Sequence, residues 1–123
     1  IDAGEIATQK EIDYDWRDNG GSLYYKSQKE MVNLFINTYP SLRVGNLNKT
    51  HQDILKGSYH LSCEIEKASK IDLDDLYTGR DILNKLRART HSGYPGCWFE
   101  DNGVYYDISI NIQIKKIWFN VII

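Results

Sequence analysis

The chain lacks a long apolar run. None of its 123 residues falls in a stretch near the roughly 20 apolar side chains that a membrane-crossing helix needs. It has only two cysteines, Cys63 and Cys97, too few for a disulfide scaffold. They suit one disulfide in an oxidising space or buried thiols in a reducing one. The buried-thiol reading is favoured, because a chain of this size is expected to bury a core without staples. Metal-ligand spacing is also missing. His51, His60 and His91 are far apart, and the cysteines form no Cys-x-x-Cys pair. Asn19-Gly20-Gly21-Ser22 lacks the Gly-Lys-Ser/Thr ending of a phosphate loop. No metal and no cofactor are therefore expected. There are no internal repeats. No leader is visible and the chain begins with Ile1, so a mature secreted protein or a piece of a longer chain is expected.

A strong basic balance is missing too. Net charge is −2, which argues against a broad nucleic-acid footprint. The charge is uneven, however. Glu64 to Asp75 is acid-rich, whereas Arg80 to Arg89 carries four basic residues against Asp81 alone. Hydrophobic content of 41% and charged content of 26% place the chain among ordinary globular proteins. One domain over residues 1–123 is expected, with 1–22 as an arm or linker.

The most informative stretch is C-terminal. Tyr106, Ile108, Ile110, Ile112 and Ile114 alternate with Asp107, Ser109, Asn111 and Gln113. That period places apolar and polar side chains on opposite faces of a strand. Asn102-Gly103 before it is a two-residue hairpin signal, so Cys97–Glu100 should pair with the strand's start. Ile117 to Ile123 reads as a further, more buried strand.

Upstream, Ser27-Gln28-Lys29-Glu30 reads as a capping box opening a helix that ends at Tyr39-Pro40. Asn19 to Ser22 reads as a turn. Thr50-His51-Gln52-Asp53 reads as a weaker helix start. Ser58 to Glu66 fits either a strand or a helix, with helix favoured. Asp72 is expected to cap a third helix running to Arg89, with Gly79 as a point of division and Leu73, Leu76, Ile82 and Leu86 on its inner stripe. The fold class that follows is α+β: N-terminal helices packed on one face of a C-terminal antiparallel sheet of three to four strands.

The candidate site lies where the basic helix end meets the Gly/Pro loop. Metal-free RNA cleavage needs a base, an acid, and cations for the phosphorane charge. His91, Tyr94, Arg87 and Arg89 are the candidate catalytic set. Lys115 and Lys116 are candidate phosphate contacts, and Trp98 and Tyr105 candidate base-stacking residues. The plainer reading is that the arginines complement a helix C-terminus and His91 is a loop residue. The acidic junction and the nine tyrosines and three tryptophans instead suit a protein-docking face.

Helices followed by a terminal sheet resemble, in architecture only, the small bacterial ribonuclease toxins of the barnase, colicin and RelE-like group. That resemblance implies a ribonuclease domain, with RNA (tRNA included) as substrate. It implies the C-terminal piece of a larger secreted or contact-dependent toxin, delivered to a target cell's cytoplasm. The alternative is a non-enzymatic immunity protein that binds and neutralises such a toxin. Either way a protein partner is expected, and no membrane span.

Overall fold

The computed structural model describes residues 4–115. In chain order it contains α1 (Gly20–Arg43), a 3-10 turn (Ile54–Lys56), α2 (Glu64–Ser69), α3 (Gly79–Arg89), β1 (Cys97–Asp101) and β2 (Val104–Ile108). Helices pack with a small antiparallel sheet, the expected α+β class.

Helix α1 starts at Gly20, not after Ser27. Asn19 is its cap: the Asn19 side chain accepts from Ser22 N at 2.9 Å, and Ser22 Oγ accepts from Asn19 N at 3.0 Å. The Gly-Gly pair, read as a turn, lies in the first helical turn because α3 comes so close. A Cβ on Gly20 would fall inside contact distance of the Ala88 carbonyl oxygen, and Gly21 N donates to Thr90 O at 3.1 Å. The Ser27 hydroxyl is used inside the helix instead, donating to Leu23 O at 2.6 Å and Tyr24 O at 3.0 Å.

Nor does the helix end at Tyr39-Pro40; it runs through Pro40 to Arg43. Gly45 ends it. With φ +70° it takes the left-handed position of a Schellman closure. Gly45 N donates to Leu42 O at 3.1 Å and Asn46 N to Ser41 O at 2.9 Å.

The helix expected from Thr50 is absent. Thr50 instead exchanges two backbone hydrogen bonds with Ile6, pinning the N-terminal arm. Ser58 to Cys63 is neither helix nor strand, and α2 begins only at Glu64. The third helix also starts late. Asp72 makes a local turn, accepting from Asp74 N at 3.1 Å. Thr78 is the cap that opens α3, accepting from Asp81 N at 3.1 Å. Leu73 and Leu76 thus fall outside the helix and are exposed, Leu76 at 96%. Ile82 and Leu86 stay half-buried.

The hairpin is as expected. β1 and β2 pair antiparallel from Cys97↔Ile108 to Asp101↔Val104, across Asn102 (φ 51°) and Gly103 (φ 78°). Two positive φ values make the type I′ turn that matches strand twist. Two strands are present among the described residues. β2 stops at Ile108, so the alternating run from Ser109 to Ile114 does not continue it. The further strand expected at 117–123 lies outside the described residues.

The buried centre is smaller than the composition suggests. Among the described residues, Ile71 and Cys97 are the buried apolar side chains, joined by Ser69 and Asp18. Ile71 N donates to Trp98 O at 2.7 Å, tying the segment after α2 to the edge of β1. Both cysteines are free; Cys97 is buried and Cys63 exposed.

Candidate binding cleft at the junction of α1 and α3

The close approach of Gly20 and Gly21 to the end of α3 sets the site. It brings Tyr24 and Tyr25, one turn into α1, beside the loop after Arg89. His91 sits among three tyrosine rings. Its centroid is 4.7 Å from Tyr94, 5.4 Å from Tyr24 and 6.0 Å from Tyr25. The contacts with Tyr94 and Tyr24 are edge-on, a favoured aromatic arrangement, and that with Tyr25 is tilted. His91 Nδ1 lies 2.9 Å from Ser92 O, a contact in which a protonated Nδ1 donates.

A cleft of about 660 Å³ opens beside this cluster, lined by Asn19, Ser22, Tyr25, Arg89, His91, Tyr94 and Asp107 among others. A second hollow of about 480 Å³, on the side of Tyr24 and Glu66, shares Arg89, His91, Tyr94 and Pro95. Those four residues therefore form the ridge between two hollows. The larger one falls within the range of small-molecule sites.

Arg89 joins the cleft as a brace. Its Nε donates to Ser69 Oγ at 2.8 Å and one terminal nitrogen to Pro95 O at 3.2 Å. Arg87 goes elsewhere, since residues two apart on a helix do not share a face. It donates to Asn84 Oδ1 at 3.1 Å and Asp15 O at 2.9 Å, and its guanidinium lies 4.6 Å from the Trp16 ring centroid. Arg80 reaches the same ring at 5.2 Å. The two arginines thus clamp residues 14–16 onto α3.

Trp98 and Tyr105 are neighbours on the hairpin, 5.7 Å apart, and do not line the cleft. Trp98 Nε1 donates to Glu66 O at 3.2 Å, and the Lys70 ammonium lies 5.4 Å from its centroid. Lys115 is exposed, and Lys116 lies outside the described residues. Of the candidate set, the fold gathers Arg89, His91 and Tyr94 and separates Arg87, Trp98 and Tyr105 from them. Asn19, Tyr24, Tyr25 and Asp107 are cleft residues that pattern reading missed. Recognising Asn19 as a cap would have placed the two tyrosines on α1, but not beside His91.

Two titrations bear on the site's supports. Lys26 beside Asp18 holds that carboxyl well below the usual carboxylate range, helped by the Asp15 amide and the Ser22 hydroxyl. Burial pushes the Cys97 thiol up, against a smaller opposing pull from Lys85 and Arg89. The cleft as built offers aromatic walls, an imidazole, a phenol and a carboxylate. Among the described residues it does not gather free cations for a phosphorane, because Arg89's guanidinium is engaged with protein oxygens and Arg87 points to Trp16.

Comparison with known proteins gives a consistent direction. A family model described as the N-formyltransferase dimerization C-terminal domain matches residues 64–114. The dTDP-4-amino-4,6-dideoxyglucose formyltransferase of Mycobacterium bovis is 28% identical over 101 residues, 82% of this chain and 43% of that protein. Methionyl-tRNA formyltransferase of Bacillus thuringiensis is 32% identical over 89 residues, 71% of this chain and 27% of that protein. Among solved structures, a 4-N formyltransferase from Francisella tularensis superposes with a TM-score of 0.84 at 27% identity, covering 94% of this chain and 48% of that one. A sugar N-formyltransferase from Shewanella gives 0.79 at 25% identity, covering 94% and 47%. The chain spans about half the length of these solved structures. These findings overturn the ribonuclease-toxin reading and its immunity alternative, and they give no support to RNA or to a toxin or immunity protein as a partner. Each relative is named for formyl transfer. A protein partner remains supported, through the dimerization model. No helix among the described residues is long and apolar enough to cross a membrane.

Proposed function

We propose that this chain is part of a sugar N-formyltransferase and supplies that enzyme's self-association module. The reaction forms a bond from a sugar amine nitrogen to the formyl carbon and breaks that carbon's bond to its donor, whose leaving atom takes up the proton that the amine gives up. The acceptor class is a nucleotide-linked 4-amino-4,6-dideoxy sugar, by analogy with the mycobacterial relative. The observation that carries the reading is fold likeness to the Francisella 4-N formyltransferase over nearly the whole chain. A tRNA acceptor, suggested by the Bacillus relative, fits less well with a net charge of −2, since tRNA binding relies on neutralising phosphates.

Within that reading, residues 64–114 carry the self-association surface, with the exposed hairpin at its centre. The cleft beside His91 and Tyr94 is proposed as an acceptor-binding site rather than the reacting centre. The test uses the full-length protein that contains this chain, dTDP-4-amino-4,6-dideoxyglucose and a formyl donor. Mass spectrometry should show the sugar gaining one formyl group; no gain defeats the reading. His91→Ala should raise KM about 10-fold with kcat little changed, as removal of uniform binding does. Unchanged KM would remove the cleft from substrate binding.

A further inference from the structure

Helix α1 carries an apolar face that the other described residues leave bare. Met31, Val32, Phe35, Ile36, Tyr39 and Leu42 are all exposed, Met31 and Ile36 at 61%. At about 100° per residue these six fall within an arc of about 140°, so they form one stripe rather than scattered points. The helix has 24 residues, and α1 meets α3 at its Gly20–Gly21 end. A continuous apolar stripe on a helix marks a surface that is covered in the working protein.

Two observations say what covers it. First, the match to the dimerization domain spans residues 64–114 and leaves α1 out, so the stripe lies outside the segment proposed for self-association. Second, this chain covers only 48% of the Francisella structure and 43% of the mycobacterial relative. About half of such a protein's mass is thus unaccounted for by these residues. We infer that the Met31–Leu42 stripe of α1 is an intramolecular docking face for the half of the formyltransferase fold that this chain does not cover, while the hairpin serves the second copy. The inference rests on the proposed sugar N-formyltransferase reading.

The experiment uses the full-length protein with Cys63→Ser, because Cys63 is the exposed native thiol and Cys97 is buried. Val32→Cys places a small thiol in the stripe. Asn37→Cys places one about 140° round the same helix, on an exposed polar position. Maleimide labelling rates are compared at high protein concentration and again after dilution to monomer, checked by sedimentation. The expected result is labelling at position 32 at least ~10-fold slower than at 37 under both conditions, as for a site reached only by local opening. Equal rates would show a bare face and overturn the proposal. Slow labelling that becomes fast on dilution would assign the stripe to a second copy and overturn it too. Formyl transfer by the unmodified protein is assayed in parallel. Its failure alongside persistent protection would sink the sugar N-formyltransferase reading while leaving the intramolecular cover in place.

Discussion

Gly20 and Gly79 both stand at the start of a helix, and their substitutions should act in opposite directions. At Gly20 an added Cβ would press on the backbone carbonyl of Ala88, which cannot turn away as a flexible side chain would. Gly20→Ala should cost about 1–3 kcal/mol, the usual range for overpacking. At Gly79 nothing lies within 4 Å of the added atom, and the residue begins α3. Gly79→Ala should stabilise by ~0.4–1 kcal/mol by restricting the unfolded chain. Urea midpoints of the two variants check both signs. Asp18 sets the acid limit at this scale. Lys26, Ser22 Oγ and the Asp15 amide all favour its charged form. Its folded pKa lies below the unfolded value of about 3.9, so its contribution is complete above about pH 5 and fades as pH falls through the unfolded and then the folded value. Asp18→Asn should therefore lower the urea midpoint at about pH 7 and bring wild type and variant closer at about pH 2–3. A constant gap across that range would show that the carboxylate charge is not what matters.

At the scale of elements, the hairpin's turn and register were legible, but the length of β2 and the helix ends were not. Asn102-Gly103 demands positive φ at two successive residues, and few sequences other than Asn-Gly supply that cheaply. The signal is local, so it survives without knowing the rest of the fold. Gly103→Ala should accordingly cost about 1–2 kcal/mol through the left-handed penalty, read as a lower melting temperature, whereas Asn102→Gly should be tolerated. Helix α1 was misread because two caps competed. Ser27-x-x-Glu30 has the right letters, but Asn19-x-x-Ser22 sits where the chain departs from extended backbone. What decided between them was contact with α3, which lies some 70 residues away in sequence and leaves no local trace. The same holds at the site. Arg89, His91 and Tyr94 are close in sequence, so their gathering was readable. Tyr24 and Tyr25 join them only through the Gly20–Ala88 approach. Arg87 shows the converse: adjacent in sequence to the site, it is turned away by helical periodicity and held by Trp16.

At the scale of the whole molecule, the small buried centre explains itself if two large surfaces are covered in the assembled protein. The α1 stripe is one and the hairpin is the other. Tyr105 is 70% exposed and Val104 50%, on a two-stranded ribbon that is marginal unless packed against something. A second copy offering the same ribbon can add strands across the edge of β2 that no described strand pairs, and bury these rings together. Aromatic residues at the centre of an interface commonly contribute ~2 kcal/mol or more, so Tyr105→Asp should weaken the dimer by about 30-fold. Tyr105 packs on Trp98 within the hairpin, so part of any loss of dimer could come from the ribbon itself. Tyr105→Phe separates the two, because it keeps the ring contact and the buried area while removing only the hydroxyl. Sedimentation equilibrium should place Tyr105→Phe near wild type and Tyr105→Asp largely monomeric, with matching far-ultraviolet spectra. Undiminished association of the Asp variant would move the self-association surface away from the hairpin.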